Sequence, residues 1–320
     1  MQTYIIRRVL LMIPSVFLIT IILFISLRFI PGNVIDLMVA EMATESGMGQ
    51  QLTADYIKHK LGMDVPIYVQ YGKWLGAAVQ GDLGRSLWTD REVTEEISSR
   101  LPISIELGVM ALITAVLIAL PIGIYSAIRQ DTWGDYVGRT IAILAISLPS
   151  FWLGTIVIVY PSIWWGWSPP MEYIPFAKDP MGNLGQFLLP AVILGMVLSG
   201  NTMRMTRTMM LEVLRQDYIR TAWAKGLTER TIIFRHALKN ALIPVITIVG
   251  IQLGILIGGS VVLEQIFVLP GVGRLLIEAL NKRDYPVISG INVVLSIFVL
   301  FMNLIVDLMY GYLDPRVRYE

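Results

Sequence analysis

The chain has 320 residues, 55% of them hydrophobic and only 15% charged, and its net charge is +1. A soluble domain carries about 25% charge, so a soluble enzyme, a nucleic-acid-binding domain and a disordered tail are excluded as the main reading. With no Cys and only His59 and His236, which lie far apart, the chain offers no disulfide, thiolate or His-based metal site, and no metal or cofactor is expected on it.

The spacing of charges gives the predicted elements in chain order. Arg8 to Arg28 encloses 19 uncharged residues, Glu106 to Arg129 encloses 22, and Arg139 to Glu172 encloses 32. Asp179 to Arg204 and Lys239 to Glu264 each enclose 24, and Asp284 to Asp307 encloses 22. A helix needs roughly 20 apolar residues to cross a hydrocarbon core about 30 Å thick. The spacing therefore predicts six membrane-spanning helices and an all-α integral membrane protein. The first apolar run is longer than a signal-peptide core and ends at Phe29-Ile30-Pro31 without a small-residue cleavage site, so it reads as a retained helix.

Between the first two spans, Ile67, Tyr71, Trp74 and Ala78 recur at helical spacing, with Pro66 near the start and Gly81 near the end. A second short helix is expected over Ala54 to Leu61. This segment reads either as a cap on the bundle or as a platform for a soluble partner. Pro14, Pro121, Pro149, Pro190 and Pro244 interrupt the spans and permit kinks, which suit moving and static bundles alike. Ser147, Ser199, Asn201, Gln252, Asn292 and Ser296 are polar residues inside spans, placed either to line a wet path or to bridge helices. Gly254, Gly258 and Gly259 allow close helix contact.

The segment from Arg204 to Lys239 carries eight basic and three acidic residues. Met205 to Ala224 has no Gly or Pro and reads as one helix, interrupted at Gly226. Thr228 is a good N-cap, with Glu229 in the following first turn, and a second helix should run on into the fifth span. Such a corner reads as a basic loop on anionic lipid or as a ball for a socket on another protein. Tyr218, Ile219, Trp223 and Leu227 are many apolar residues for a solvated face. With the N-terminus inside, 14 Lys and Arg flank the inner ends of the spans against 4 (Lys178, Arg274, Lys282, Arg283) in the short outer loops. That bias places both termini in the cytoplasm.

Asp217-Tyr218-Ile219-Arg220-Thr221-Ala222-Trp223-Ala224-Lys225-Gly226-Leu227 resembles the cytoplasmic motif of ATP-binding-cassette importer permeases, in the dipeptide, oligopeptide and nickel permease group. Arg220-Thr221-Ala222 stands at the family's Glu-Ala-Ala, with Arg220 replacing the glutamate, and Gly226 matches its glycine. The interval from Gly226 to Pro244 is longer than the general spacing. The likeness extends through Tyr4 to Arg8, Leu61-Gly62-Met63-Asp64, Gly81-Asp82-Leu83-Gly84-Arg85-Ser86, Glu264, Pro270-Gly271-Val272-Gly273-Arg274, Arg283-Asp284-Tyr285-Pro286 and Asp314-Pro315-Arg316.

The resemblance implies a type I importer permease fold with a helical extracytoplasmic insertion. Residues 1–31 would form the N-terminus and first span, 32–102 the insertion, and 103–320 a five-helix core with a coupling loop at 204–240. It implies a bacterial or archaeal cytoplasmic membrane, a second homologous permease as the first chain's pair, two cytoplasmic ATPases and an extracytoplasmic binding protein. Arg220, Thr221, Ala222, Trp223, Ala224, Lys225, Gly226 and Leu227 would couple the pore to the ATPases, with peptide, nickel or oligosaccharide as cargo. No G-x-x-x-x-G-K-[ST] loop occurs in the chain, so ATP and magnesium would sit on the partner ATPases. Catalytic residues are not expected here, and lipid, not nucleic acid, is the other partner. The competing readings are a proton-coupled carrier working alone, although the gaps hold no mid-membrane acid or base, and an intramembrane enzyme, for which H-E-x-x-H and G-x-S-x-G are both missing.

Overall fold

The structure is a computed structural model that describes residues 2–28 and 64–313; the short helix expected over residues 54–61 lies outside them. The helices are α1 (Gln2–Arg28), α2 (Ile67–Val79), α3 (Val93–Ile128), α4 (Trp133–Ser147), α5 (Ser150–Trp165) and α6 (Pro180–Leu214). After these come α7 (Asp217–Ala224), the single turn α8 (Glu229–Thr231), a π-helical turn (Ile232–Ala237), α9 (Leu238–Ile266), α10 (Val272–Lys282) and α11 (Tyr285–Leu313). Among the described residues the only β-type pairing is a bridge between Arg85 and Glu92.

Five helical stretches are long and apolar enough to cross a membrane, and α4 with α5 makes a sixth if that pair is one broken span. The 32-residue gap in charge is therefore not a single rod: its two helices meet at 91°. The cause is local. Pro149 has no N–H to give and pushes the residue before it out of the helical region, and Leu148 is extended, with φ −85° and ψ 123°. By contrast Pro14, Pro121, Pro190 and Pro244 all lie inside continuous helices. The second span also starts earlier than its apolar core. α3 begins at Val93, and Glu95 and Glu96 in its first turn complement the helix dipole.

The chain divides into two compact units. In the first, residues 1–5, 102–274 and 298–320, the core is built by Leu107 and Ala111 of α3, Phe187, Ala191 and Leu194 of α6, and Leu256 and Leu263 of α9. α3 and α6 meet backbone to backbone at Gly195, where a β-carbon would stand 2.7 Å from the Ala111 carbonyl oxygen; small residues permit such close approach between membrane helices. Gln252 ties α9 to α6. Its Nε2 donates to the Leu198 carbonyl at 3.1 Å, and its Oε1 accepts from the Thr202 hydroxyl at 3.2 Å. The bridging role expected of in-span polar residues thus falls to Gln252. Ser147, Ser199, Asn292 and Ser296 instead donate to carbonyls of their own helices. Gly254 packs near Val299, while a β-carbon at Gly258 would meet nothing.

In the second unit, residues 6–101 with 275–297, Tyr71 and Trp74 of the predicted stripe on α2 turn toward Phe24 of α1, while Ile67 is exposed. Tyr71 meets Phe24 edge-on at 5.3 Å between centroids, and its hydroxyl lies 3.0 Å from that of Thr20. The turn after α2 is fastened to the segment between α10 and α11. Ser86 Oγ donates to Asp284 Oδ2 at 2.5 Å, Leu87 N–H donates to Oδ1 at 3.2 Å, and Trp88 Nε1 donates to the Lys282 carbonyl at 2.9 Å. Burial pushes the Asp284 carboxyl above the usual carboxylate range, and those two donors partly offset it.

Candidate functional site

The sequence predicts one helix from Met205 to Ala224; the structure instead breaks it. α6 stops at Leu214, Gln216 is extended with ψ 149°, and α7 begins afresh at Asp217. Neither Gly nor Pro marks the break. It is set by burial: only after the chain turns do Ile219 and Ala222 reach Met210, Ile232, Ile233, Ala237 and Ala241, with which they form a closed apolar cluster. Burying these side chains outweighs the few backbone hydrogen bonds lost at the break.

α7 ends at a corner that satisfies its own backbone. Gly226 N–H donates to the Trp223 carbonyl at 2.9 Å and Leu227 N–H donates to the Ala222 carbonyl at 3.3 Å. Gly226 has φ +73°. This is a Schellman closure, whose left-handed residue is ordinarily glycine because a β-carbon is strained there. The Thr228 position caps the next helix as expected, but its hydroxyl does not reach a backbone N–H; it meets the Thr231 hydroxyl at 2.9 Å.

The eight residues singled out by sequence are thus brought together on one short element. Ala222 roots it in the cluster, while Arg220, Thr221, Trp223, Ala224, Lys225, Gly226 and Leu227 are exposed. Trp223, 49% exposed, and Leu227 both present apolar surface at the tip that is uncovered among the described residues. Arg220 lies 3.3 Å from Asp217, an open pair of slight energetic weight.

Two further features lie outside the residues singled out by sequence. The first is the π turn that follows α8, bridged by a tie across the corner. Tyr218 OH accepts from Asn240 Nδ2 at 2.8 Å and donates to the His236 carbonyl at 3.4 Å. The second is a buried carboxylate. Asp135, in the first turn of α4, is wholly inaccessible. It accepts from Arg207 Nε and Nη2, both at 2.8 Å, and from Arg139 Nη2 at 2.7 Å. The Ser126 hydroxyl and the Asp131 N–H complete its shell. It thereby joins α3, α4 and α6 one turn or more before α7. The spacing of Asp135 and Arg139, four residues apart at the start of an apolar run, is a signal that could have found half of it.

Comparison with known proteins fits this architecture. The family described as binding-protein-dependent transport system inner membrane component matches residues 119–319, and its N-terminal counterpart matches residues 1–108. The dipeptide transport system permease protein DppB of Alkalihalophilus pseudofirmus is 42% identical over 341 residues. The oligopeptide transport system permease protein AppB of Bacillus subtilis is 40% identical over 322, and the glutathione transport system permease protein GsiC of Escherichia coli O6:H1 is 35% identical over 320. Each alignment covers all of both chains. Among solved structures, an inward-facing MetNI methionine ABC transporter chain superposes with a TM-score of 0.56 at 17% identity, covering 68% of this chain and 95% of that one. A chain of an amino acid ABC transporter gives 0.53 at 14% identity, covering 68% and 94%. At those identities the structural likeness establishes the fold, and the full-length sequence matches establish the kinship: the chain belongs to the family of inner membrane components of binding-protein-dependent transport systems.

Proposed function

We propose that this chain is one of two permease subunits of an ATP-driven importer for di- or oligopeptides, in a bacterial or archaeal cytoplasmic membrane. The observation that carries the proposal is the corner Arg220 to Leu227, whose root is buried and whose apolar tip is bare. A self-closed element with exposed Trp223 and Leu227 suits a groove on a partner better than open water. In this reading it rests in one of two ATPases that hold ATP and magnesium. Closure of the ATPases pushes the corner, and the cluster around Met210 and Ile232 passes the push to α6 and α9. The peptide cargo is supported by the names of the dipeptide and oligopeptide permeases to which the chain is similar. A separate binding protein would deliver it from outside, so nickel or an oligosaccharide would change that protein first.

Affinity capture of the chain should recover a second permease and ATPase subunits in stoichiometric amounts, and reconstituted uptake should require ATP. A lone chain that transports on a pH gradient without ATP would overturn the reading in favour of a proton-coupled carrier.

The orientation that this function requires, with both termini and the corner inside, is supported by the 14-to-4 basic bias. Thr89 and Thr228 are both exposed, and the chain has no cysteine of its own. An impermeant thiol reagent applied to intact cells should label Thr89→Cys and spare Thr228→Cys. The reverse pattern would invert the topology.

A further inference from the structure

The exposed face of α6 changes character along its length. Leu184, Leu188 and Met196 lie on its first half, and Asn201, Arg204 and Thr208 follow on the second. At that second half α6 and α9 enclose an open trough of about 550 Å³, lined also by Ile248, Ile251 and Gln252. Both ends of the Gln252 amide are taken by α6, so the floor of the trough is fixed.

Arg204 is the informative residue. α6 ends ten residues beyond it, at Leu214, and began 24 residues before it, at Pro180. Arg204 closes the charge-free run of the fourth span, and its Nη2 turns back one helical turn toward that run and donates to Asn201 Oδ1 at 2.8 Å. Among the described residues no carboxylate pairs with it, whereas Arg207, three residues on, is held by Asp135 at 2.8 Å. The trough therefore presents a guanidinium with donors to spare beside the Asn201 amide nitrogen. A planar guanidinium fork matches a carboxylate.

We propose that this trough is an anion subsite on the transport path, where Arg204 and Asn201 receive the C-terminal carboxylate of a peptide in transit. The inference rests on the peptide-importer reading and adds to it a named site. The phosphate of a lipid headgroup offers related chemistry, and the test separates the two. The assembled importer, with its binding protein, is reconstituted into vesicles of phosphatidylcholine alone and of phosphatidylcholine with an anionic lipid. ATP-driven uptake is compared for a dipeptide and for its C-terminal amide, each as the ratio of variant to wild type, so that the preference of the binding protein cancels.

Arg204→Gln should slow uptake of the free dipeptide about tenfold, as expected for loss of one charge-assisted hydrogen bond, in both kinds of vesicle. It should leave the amide within about twofold of wild type. Arg204→Lys, which keeps the charge but not the fork, should fall between wild type and Arg204→Gln for the free dipeptide. Equal loss for both peptides, or no loss for either, would overturn the subsite. A loss confined to vesicles with anionic lipid would assign Arg204 to a headgroup and overturn it as well. Failure of the wild-type complex to move either peptide with ATP would instead count against the proposed function.

Discussion

Asp135→Ala should destabilise the first unit by about 3–5 kcal/mol, the cost of removing one partner from a buried ion pair. The carboxylate is inaccessible and receives Arg207 through two parallel contacts of 2.8 Å. Arg207 is itself only 19% exposed. Without the carboxylate its charge stays in a poorly solvated place with its main partner gone, and the Ser126 hydroxyl and Asp131 N–H lose their acceptor too. Arg207→Ala should be of similar severity, because it leaves Asp135 buried and short of its firmest partner. Arg139→Ala should be mild, since that guanidinium is open to water and the pair is screened. Thermal unfolding of the purified complex in detergent checks the series. Equal, small shifts for all three variants would show that the network is not the clamp its burial implies.

Gly226→Val should abolish most ATP-driven uptake while leaving membrane insertion intact. At φ +73° a residue with a β-carbon is strained by roughly 1–2 kcal/mol. Among the described residues the β-carbon would meet no atom within 4 Å, so the penalty is conformational and not steric. The chain relieves it by opening the corner, which gives up the Gly226-to-Trp223 and Leu227-to-Ala222 bonds and swings Trp223 and Leu227 off their tip. Gly226→Asn is the control, because Asn visits the left-handed region more readily and should keep a larger share of uptake. Substrate uptake and substrate-stimulated hydrolysis in reconstituted vesicles are the readouts. Normal values of both for Gly226→Val would remove Arg220 to Leu227 from the proposed coupling role.

Much of this was legible in the residues. Charge-free gaps locate membrane helices because a charge in hydrocarbon is costly whatever the surrounding fold. The spacing of Tyr71 and Trp74 locates α2 because both rings pack against Phe24. Gly226 is legible because few other residues sit easily where it sits. What stayed hidden depends on contacts between distant residues. Nothing local separates Leu214 from Asp217; the break exists because Ile219 finds Met210 and Ile232. Likewise Asp135 looks like a solvated helix-start acid until Arg207, 72 residues away, closes on it. Hydropathy counts length and not direction, so 32 uncharged residues could not announce a right-angle turn at Leu148 and Pro149.

The π turn at Ile232–Ala237 lies within the interval from Gly226 to Pro244. The interval from Gly226 to Pro244 is long, yet Ala237, Ala241 and Val245, spaced by four, all remain buried. In an unbroken α-helix each added residue rotates everything downstream by about 100°. A π turn takes more residues per revolution, so Ile232 and Ala237, five apart, can both enter the same cluster. The segment thereby keeps extra length without changing its aim. Distance from the corner to the membrane helix and the facing of that helix become separate variables, and a lineage can lengthen one without having to rebuild the other.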